Sequence, residues 1–136
     1  MKAAVRDTYG PPAVLRIEEV DKPSLGDNDI LVRVHAATVN RTDCAILSAK
    51  PFIMRFITGL LKPKNPITGT DFAVEVDSVG KNVTSYAVGD RVFGLSDDGI
   101  GSHARFIPLP QEAPMAAIPD SVSYEQAAAS RGALRL

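Results

Sequence analysis

The sequence predicts a mainly β domain with short helices, folded as a barrel-like sheet. Three observations predict it. Short runs rich in valine, isoleucine and phenylalanine recur along the chain, broken by glycine and proline, which number 10 each in 136 residues. From Ile30 to Ala37 apolar and polar residues nearly alternate, the period of a half-buried strand. A sustained helical pattern of apolar residues occurs once, between residues 50 and 62.

The first strand runs from Lys2 to Arg6, and Tyr9-Gly10-Pro11-Pro12 turns the chain, since glycine permits unusual backbone angles and proline fixes φ. A second strand is expected from Val14 to Val20, followed by the polar loop at residues 23–29. In the strand from Ile30 to Ala37, Ile30, Val32, Val34 and Ala36 share one face, and Leu31, Arg33 and His35 the other. A short helix is expected from Asp43 to Ser48. In the segment from Lys50 to Lys62, Phe52, Ile53, Phe56, Ile57, Leu60 and Leu61 lie three and four apart, until Pro63 and Pro66 stop the pattern. Three strands follow: Phe72 to Val79, Arg91 to Leu95 after the Gly89-Asp90 turn, and His103 to Leu109, where Pro108 and Pro110 indicate an edge. A last helix starts at Ser123, with Gln126 three residues on completing a capping box.

Composition narrows the function classes. Fifteen basic against 16 acidic residues leave a net charge of −1, which gives no electrostatic reason to expect nucleic acid or an anionic membrane as partner. Cys44 is the single cysteine, so an internal disulfide and a cysteine-rich metal site are both excluded. The N-terminal MKAAVRDTYG lacks the apolar region of a signal peptide, and no run approaches a membrane span. A cytoplasmic protein is the expectation.

The order and spacing of Gly69-Thr70-Asp71-Phe72-Ala73, Val79-Gly80-Lys81-Asn82-Val83 and Val88-Gly89-Asp90-Arg91-Val92-Phe93-Gly94 resemble the catalytic domain of medium-chain dehydrogenase/reductases. The resemblance covers residues 1 to about 130 and implies a GroES-like, partly open β-barrel, with the Rossmann nucleotide-binding domain missing from this sequence. On this reading residues 1–122 form the catalytic domain, and residues 123–136 begin the helix leading to the absent nucleotide-binding domain. The run from Ser130 to Leu136 departs from the family's usual continuation, as a cut chain or an abnormal reading frame would. Val74 stands where the family pattern keeps a glycine, and its side chain is expected to crowd the neighbouring backbone.

Where zinc-dependent relatives place a cysteine and a His-Glu pair, this chain has Asn40 and Thr70-Asp71. A carboxamide and a hydroxyl are far weaker ligands for Zn²⁺ than thiolate and imidazole, so no metal site is expected. The resemblance therefore implies the zinc-free branch, similar to the NADPH-dependent quinone and enone reductases. In that branch Asn40 would position the nicotinamide or substrate, with Asp43 and Thr70 beside it as cofactor-binding residues. Asn40 donates and accepts hydrogen bonds, which suits a ribose hydroxyl or a substrate carbonyl. The alternative is that Asn40 satisfies backbone groups at a strand-to-helix junction. For Asp43 the alternative is a structural role at the helix start, and for Asp71 an ion pair with a nearby arginine. His35 is expected to be exposed on its strand. His103 stands where the family usually has an aromatic residue and is expected to pack beside the cleft rather than to act as an acid or base. The segment from Phe52 to Leu61 reads as a pocket wall or lid, a core helix, or an interfacial helix flanked by Lys50, Arg55, Lys62 and Lys64.

No Gly-x-Gly-x-x-Gly follows a strand, and Gly99-Ile100-Gly101 lacks a third glycine at position 104. NADPH or NADH is thus expected as cofactor of the full-length protein, with none bound by this chain alone. The expected function is that of the N-terminal catalytic domain of a zinc-independent NAD(P)H-dependent reductase of quinones or α,β-unsaturated carbonyls. A stand-alone GroES-like module used for binding or assembly is the alternative, and a zinc alcohol dehydrogenase a third. The expected partners are a small quinone or enone and the missing Rossmann domain, and self-association of the uncovered cleft face into a homo-oligomer is anticipated. The helix from Ser123, deprived of that partner, is expected to fray.

Overall fold

The computed structural model describes residues 1–48, 65–95 and 101–130. Its elements are β1 (Lys2–Val5), a single 3-10 turn (Pro12–Val14), β2 (Arg16–Glu19), β3 (Asp29–Ala36), α1 (Arg41–Ser48), β4 (Asp71–Val79), β5 (Arg91–Leu95), β6 (Phe106–Pro110), β7 (Met115–Ala117) and α2 (Tyr124–Ala129). Five strands form one antiparallel sheet in the order β6-β3-β4-β5-β7, and β1 pairs with β2 apart from it. Isolated bridges from Ala3 to Ala104 and from Val5 to Ile67 tie the hairpin to the rest. The sheet is open, with β6 and β7 at its edges.

The alternation seen in the sequence sets the core. Ile30 and Val32 of β3, Phe72, Val74 and Val76 of β4, Val92 of β5, and Ile107 and Leu109 of β6 form one buried cluster. Val74 is fully buried in that cluster and lies between Val34 and Val92 in the sheet register. Its side chain is part of the buried core. Pro108 and Pro110 lie on β6, an edge strand, which needs no ladder hydrogen bond from them on its outer side.

Three expectations need adjustment, and one strand was not foreseen. The second strand begins at Arg16, because Pro11 and Pro12 set a 3-10 turn through Val14 first. The strand expected from His103 begins at Phe106, with Ala104 making only an isolated bridge. The short β7 carried no alternation to reveal it; it exists because Met115 to Ala117 pair with β5. The last helix does not lack a docking surface. Ala127 and Ala128 of α2 are buried with Ala73 and Ile118, and Phe93 and Tyr124 pack against them. The helix starts as its sequence indicates, with a full capping box between Ser123 and Gln126. His35 is exposed, as expected, and also fastens this helix: its ring stacks on Tyr124 at 4.1 Å, and its Nε2 lies 3.3 Å from Glu75 Oε2. The amphipathic segment at residues 50–62 lies outside the described residues, as do residues 131–136. Among the described residues no helix is long and apolar enough to cross a membrane.

Candidate active site

Two stretches of chain meet at one end of the sheet. One leaves β3, passes through Thr38 and Asn40 and enters α1; the other runs from Thr68 through Thr70 into Asp71 at the start of β4. A register irregularity between Val34 and Ala36 bends the first stretch as it leaves the sheet. Gly69 allows the second to approach residues 102–103 closely: its φ is +111°, and a Cβ there would lie 2.2 Å from Ser102 Oγ.

Asn40 is the N-cap of α1. Its Oδ1 accepts the backbone N–H groups of Thr42 at 2.8 Å and Asp43 at 3.1 Å. Asp43 answers at the third helical position, with Oδ2 accepting the Asn40 N–H at 2.9 Å. This is a capping box with aspartate in place of the usual glutamate or glutamine. The Asn40-x-x-Asp43 spacing signals it, and the helix starts at Arg41, two residues ahead of the expected Asp43. The Asn40 Nδ2 then donates across to the second stretch, to Thr70 Oγ1 at 2.9 Å and Asp71 Oδ2 at 3.1 Å. The Thr70 hydroxyl in turn donates a hydrogen bond to Asp43 Oδ1 at 3.1 Å. Both donor and both acceptor positions of the Asn40 carboxamide are therefore occupied within the protein.

Both carboxylates are buried, and no cation among the described residues pairs with them. Asp71 is 2% exposed and Asp43 5%. Among the described residues Asp71 has no arginine partner, and the ion pair expected from the sequence is not found there. Its Oδ1 accepts the Thr38 N–H at 3.0 Å, and its Oδ2 accepts the Thr38 hydroxyl at 2.5 Å. Each carboxylate thus receives two or three hydrogen bonds, which offset the cost of removing its charge from water. His103 is held as firmly. Its Nδ1 lies 2.8 Å from Thr68 Oγ1 and its Nε2 3.0 Å from the Thr38 carbonyl. On the far side of α1, the buried Arg6 donates through Nη1 to the Ile46 carbonyl at 2.5 Å and lies over the Tyr9 ring. Burial holds its pKa below the ordinary guanidinium value, with the nearby Tyr9 acting in the opposite direction. Arg6 thereby anchors the helix that Asn40 begins.

The network's chemistry is positional. The carboxylates and His103 are engaged in internal hydrogen bonds, so the network holds no disengaged acid or base. Its residues do not fit zinc, because the Asn40 and Thr70 donor atoms are neutral and already bonded to their neighbours. No group of three histidine, cysteine, aspartate or glutamate side chains that could hold a metal occurs among the described residues. The pyrophosphate of a dinucleotide finds no seat among them either. Side chains cap the N-termini of α1 and α2, and neither helix follows a glycine-rich turn.

With this geometry in hand, comparison with known proteins identifies the class. Residues 26–120 match the family described as alcohol dehydrogenase GroES-like domain. The chain is 34% identical to the quinone oxidoreductase of Sus scrofa over 123 residues, covering 89% of this chain and 34% of that protein. It is 35% identical to the quinone oxidoreductase-like protein 2 homolog of Nematostella vectensis, covering 94% of this chain and 32% of that protein. Among solved structures, the quinone oxidoreductase from Coxiella burnetii superposes with a TM-score of 0.83 at 28% identity, covering 98% of this chain and 41% of that one. The Escherichia coli quinone oxidoreductase complexed with NADPH superposes with a TM-score of 0.74 at 28% identity, covering 96% of this chain and 37% of that one. The chain is a member of the GroES-like domain family, in the quinone-oxidoreductase-like branch of the medium-chain dehydrogenase/reductases. It spans about a third of the length of these curated relatives.

Proposed function

We propose that this chain is the catalytic-domain part of a cytoplasmic, zinc-independent, NAD(P)H-dependent reductase of quinones or α,β-unsaturated carbonyls. The observation that carries the reading is the closed network of Asn40, Thr70, Asp71 and Asp43, at positions where the family resemblance puts the ligands of a zinc-dependent relative. Asn40 is the partly exposed member and is assigned to face the nicotinamide or the substrate as a fixed wall, its own hydrogen bonds being made within the chain, while Asp43 and Thr70 are cofactor-side residues that act by fixing it. The dinucleotide, held by a nucleotide-binding domain entered beyond residue 123, supplies the hydride donor. This chain's part is to orient the electron-poor substrate and to exclude water beside it. Residues 1–122 are assigned to the cleft wall, against which that second domain would pack.

A self-contained binding module is the second reading. It draws support from α2, which completes a core inside this chain. Turnover separates the two. Residues 1–130 joined to the nucleotide-binding domain of the Coxiella burnetii enzyme should oxidise NADPH with p-benzoquinone as acceptor, at a rate that zinc chelators leave unchanged. A fusion that binds NADPH yet reduces neither p-benzoquinone nor a simple enone would refute the reductase reading and favour the module.

A further inference from the structure

We infer that His103 is a positioning residue, a clasp that fixes the two backbone stretches carrying the candidate site against each other. The ring reaches one partner on each stretch. Its Nε2 lies 3.0 Å from the carbonyl of Thr38, two residues before Asn40. Its Nδ1 lies 2.8 Å from the hydroxyl of Thr68, two residues before Thr70. A carbonyl oxygen only accepts, so Nε2 carries the proton; in the neutral ring Nδ1 then accepts from the Thr68 hydroxyl.

The backbone of His103 is itself fixed. Its N–H donates to the Thr68 carbonyl at 2.9 Å, and its carbonyl accepts from Ala4 N–H at 2.9 Å. The ring therefore projects from a rigid base. Thr38 lies beyond the end of β3, where its carbonyl has left the ladder. That same residue presents its N–H and hydroxyl to the two oxygens of Asp71, and Asp71 Oδ2 accepts from Asn40 Nδ2. Continuous hydrogen bonding thus runs from His103 through Thr38 and Asp71 to the Asn40 carboxamide. A phenyl ring at position 103 would fill similar space but leave the Thr38 carbonyl without its donor. The role rests on the reductase reading only in making the Asn40 wall the functional one; the clasp itself is a matter of geometry.

Hydrogen exchange measured by NMR on the whole chain tests it. The probes are the backbone amides of Thr38 and Asn40, with Val74 and Val76 of β4 as internal reference. His103→Phe should speed exchange at Thr38 and Asn40 by about tenfold and leave the β4 amides unchanged, as loss of one local hydrogen bond implies. His103→Gln, whose carboxamide again offers a donor and an acceptor, should bring the two rates back toward the parent. Unchanged rates in His103→Phe, equal acceleration throughout β4, or no restoration by glutamine would each overturn the clasp. Should His103→Phe fail to fold, Thr68→Val carries the test by removing only the Nδ1 partner. Faster exchange at Thr38 against a steady β4 would then support the clasp, and an unchanged Thr38 would overturn it. No turnover is needed, so failure here leaves the reductase reading standing, and an inactive fusion would leave the clasp standing.

Discussion

Thr70→Val is the sharpest perturbation of the site, because it exchanges a hydroxyl for a methyl at a position that is 1% exposed. Two hydrogen bonds end with it. The Thr70 hydroxyl donates to Asp43 Oδ1 at 3.1 Å and accepts from Asn40 Nδ2 at 2.9 Å. A hydrogen bond to a charged group contributes about 1.5–3 kcal/mol, and a neutral one about 1 kcal/mol. Asn40 is half-exposed, so water recovers part of the second loss, whereas Asp43 is buried and recovers little. The expected destabilisation is about 2–4 kcal/mol, against a typical domain stability of roughly 5–15 kcal/mol, so the variant still folds. Thr70→Ser keeps the hydroxyl and removes one methyl, at a cost of about 1 kcal/mol. Urea unfolding followed by circular dichroism would measure both. With a slope of about 2 kcal/mol per molar urea, the valine variant should unfold at roughly 1–2 M less denaturant than the parent, and the serine variant much closer to it. A valine variant as stable as the parent, or less damaged than the serine one, would refute the reasoning that this hydroxyl is the hinge of the network.

Other expectations follow from single positions. Gly69→Ala should destabilise by about 2 kcal/mol or more in the same assay, since φ is +111° and the new Cβ would meet Ser102 Oγ at 2.2 Å and the His103 backbone N at 2.7 Å. Ser123→Ala removes the hydroxyl that accepts the Gln126 N–H at 3.1 Å, and should cost about 1 kcal/mol with faster exchange confined to α2. The hydrogen bond from the N-terminal ammonium, and then its charge, lower the pKa of Glu19 below the ordinary carboxylate value. The stability this contributes is present above that ordinary value and is lost as the pH falls through the lowered one. The parent should therefore be slightly more stable than Glu19→Gln near neutral pH, with the thermal midpoints converging in acid; a gap that widens in acid would contradict the assignment.

The strands were legible wherever alternation was strong. β3, β4 and β5 bury one face of each in a shared core, and that burial is what period-two patterning reports. β7 was not legible, because three residues are too few to show a period and only pairing with β5 defines them. The N-terminus of α2 could be read from Ser123 and Gln126 because a capping box is local. The equivalent device at Asn40 and Asp43 was equally local but used aspartate at the third position, which the serine-glutamine pattern does not cover. The long-range partners were beyond reach of the sequence. That Asp71 serves Thr38 and Asn40 rather than an arginine depends on a 33-residue separation closed by the sheet. That His35 stacks on Tyr124 and His103 joins Thr38 to Thr68 depends likewise on segments far apart in the chain.

The central claim is that hydrogen bonds among Asn40, Thr70, Asp71 and Asp43 do the organising that a metal ion does in zinc-dependent relatives. Elemental analysis of the purified chain, dialysed after exposure to excess Zn²⁺, tests this most directly. The account predicts no stoichiometric zinc and an unfolding midpoint that the exposure leaves unchanged. One zinc per chain that survives dialysis, and that is lost in Asn40→Ala or Asp71→Ala, would contradict it.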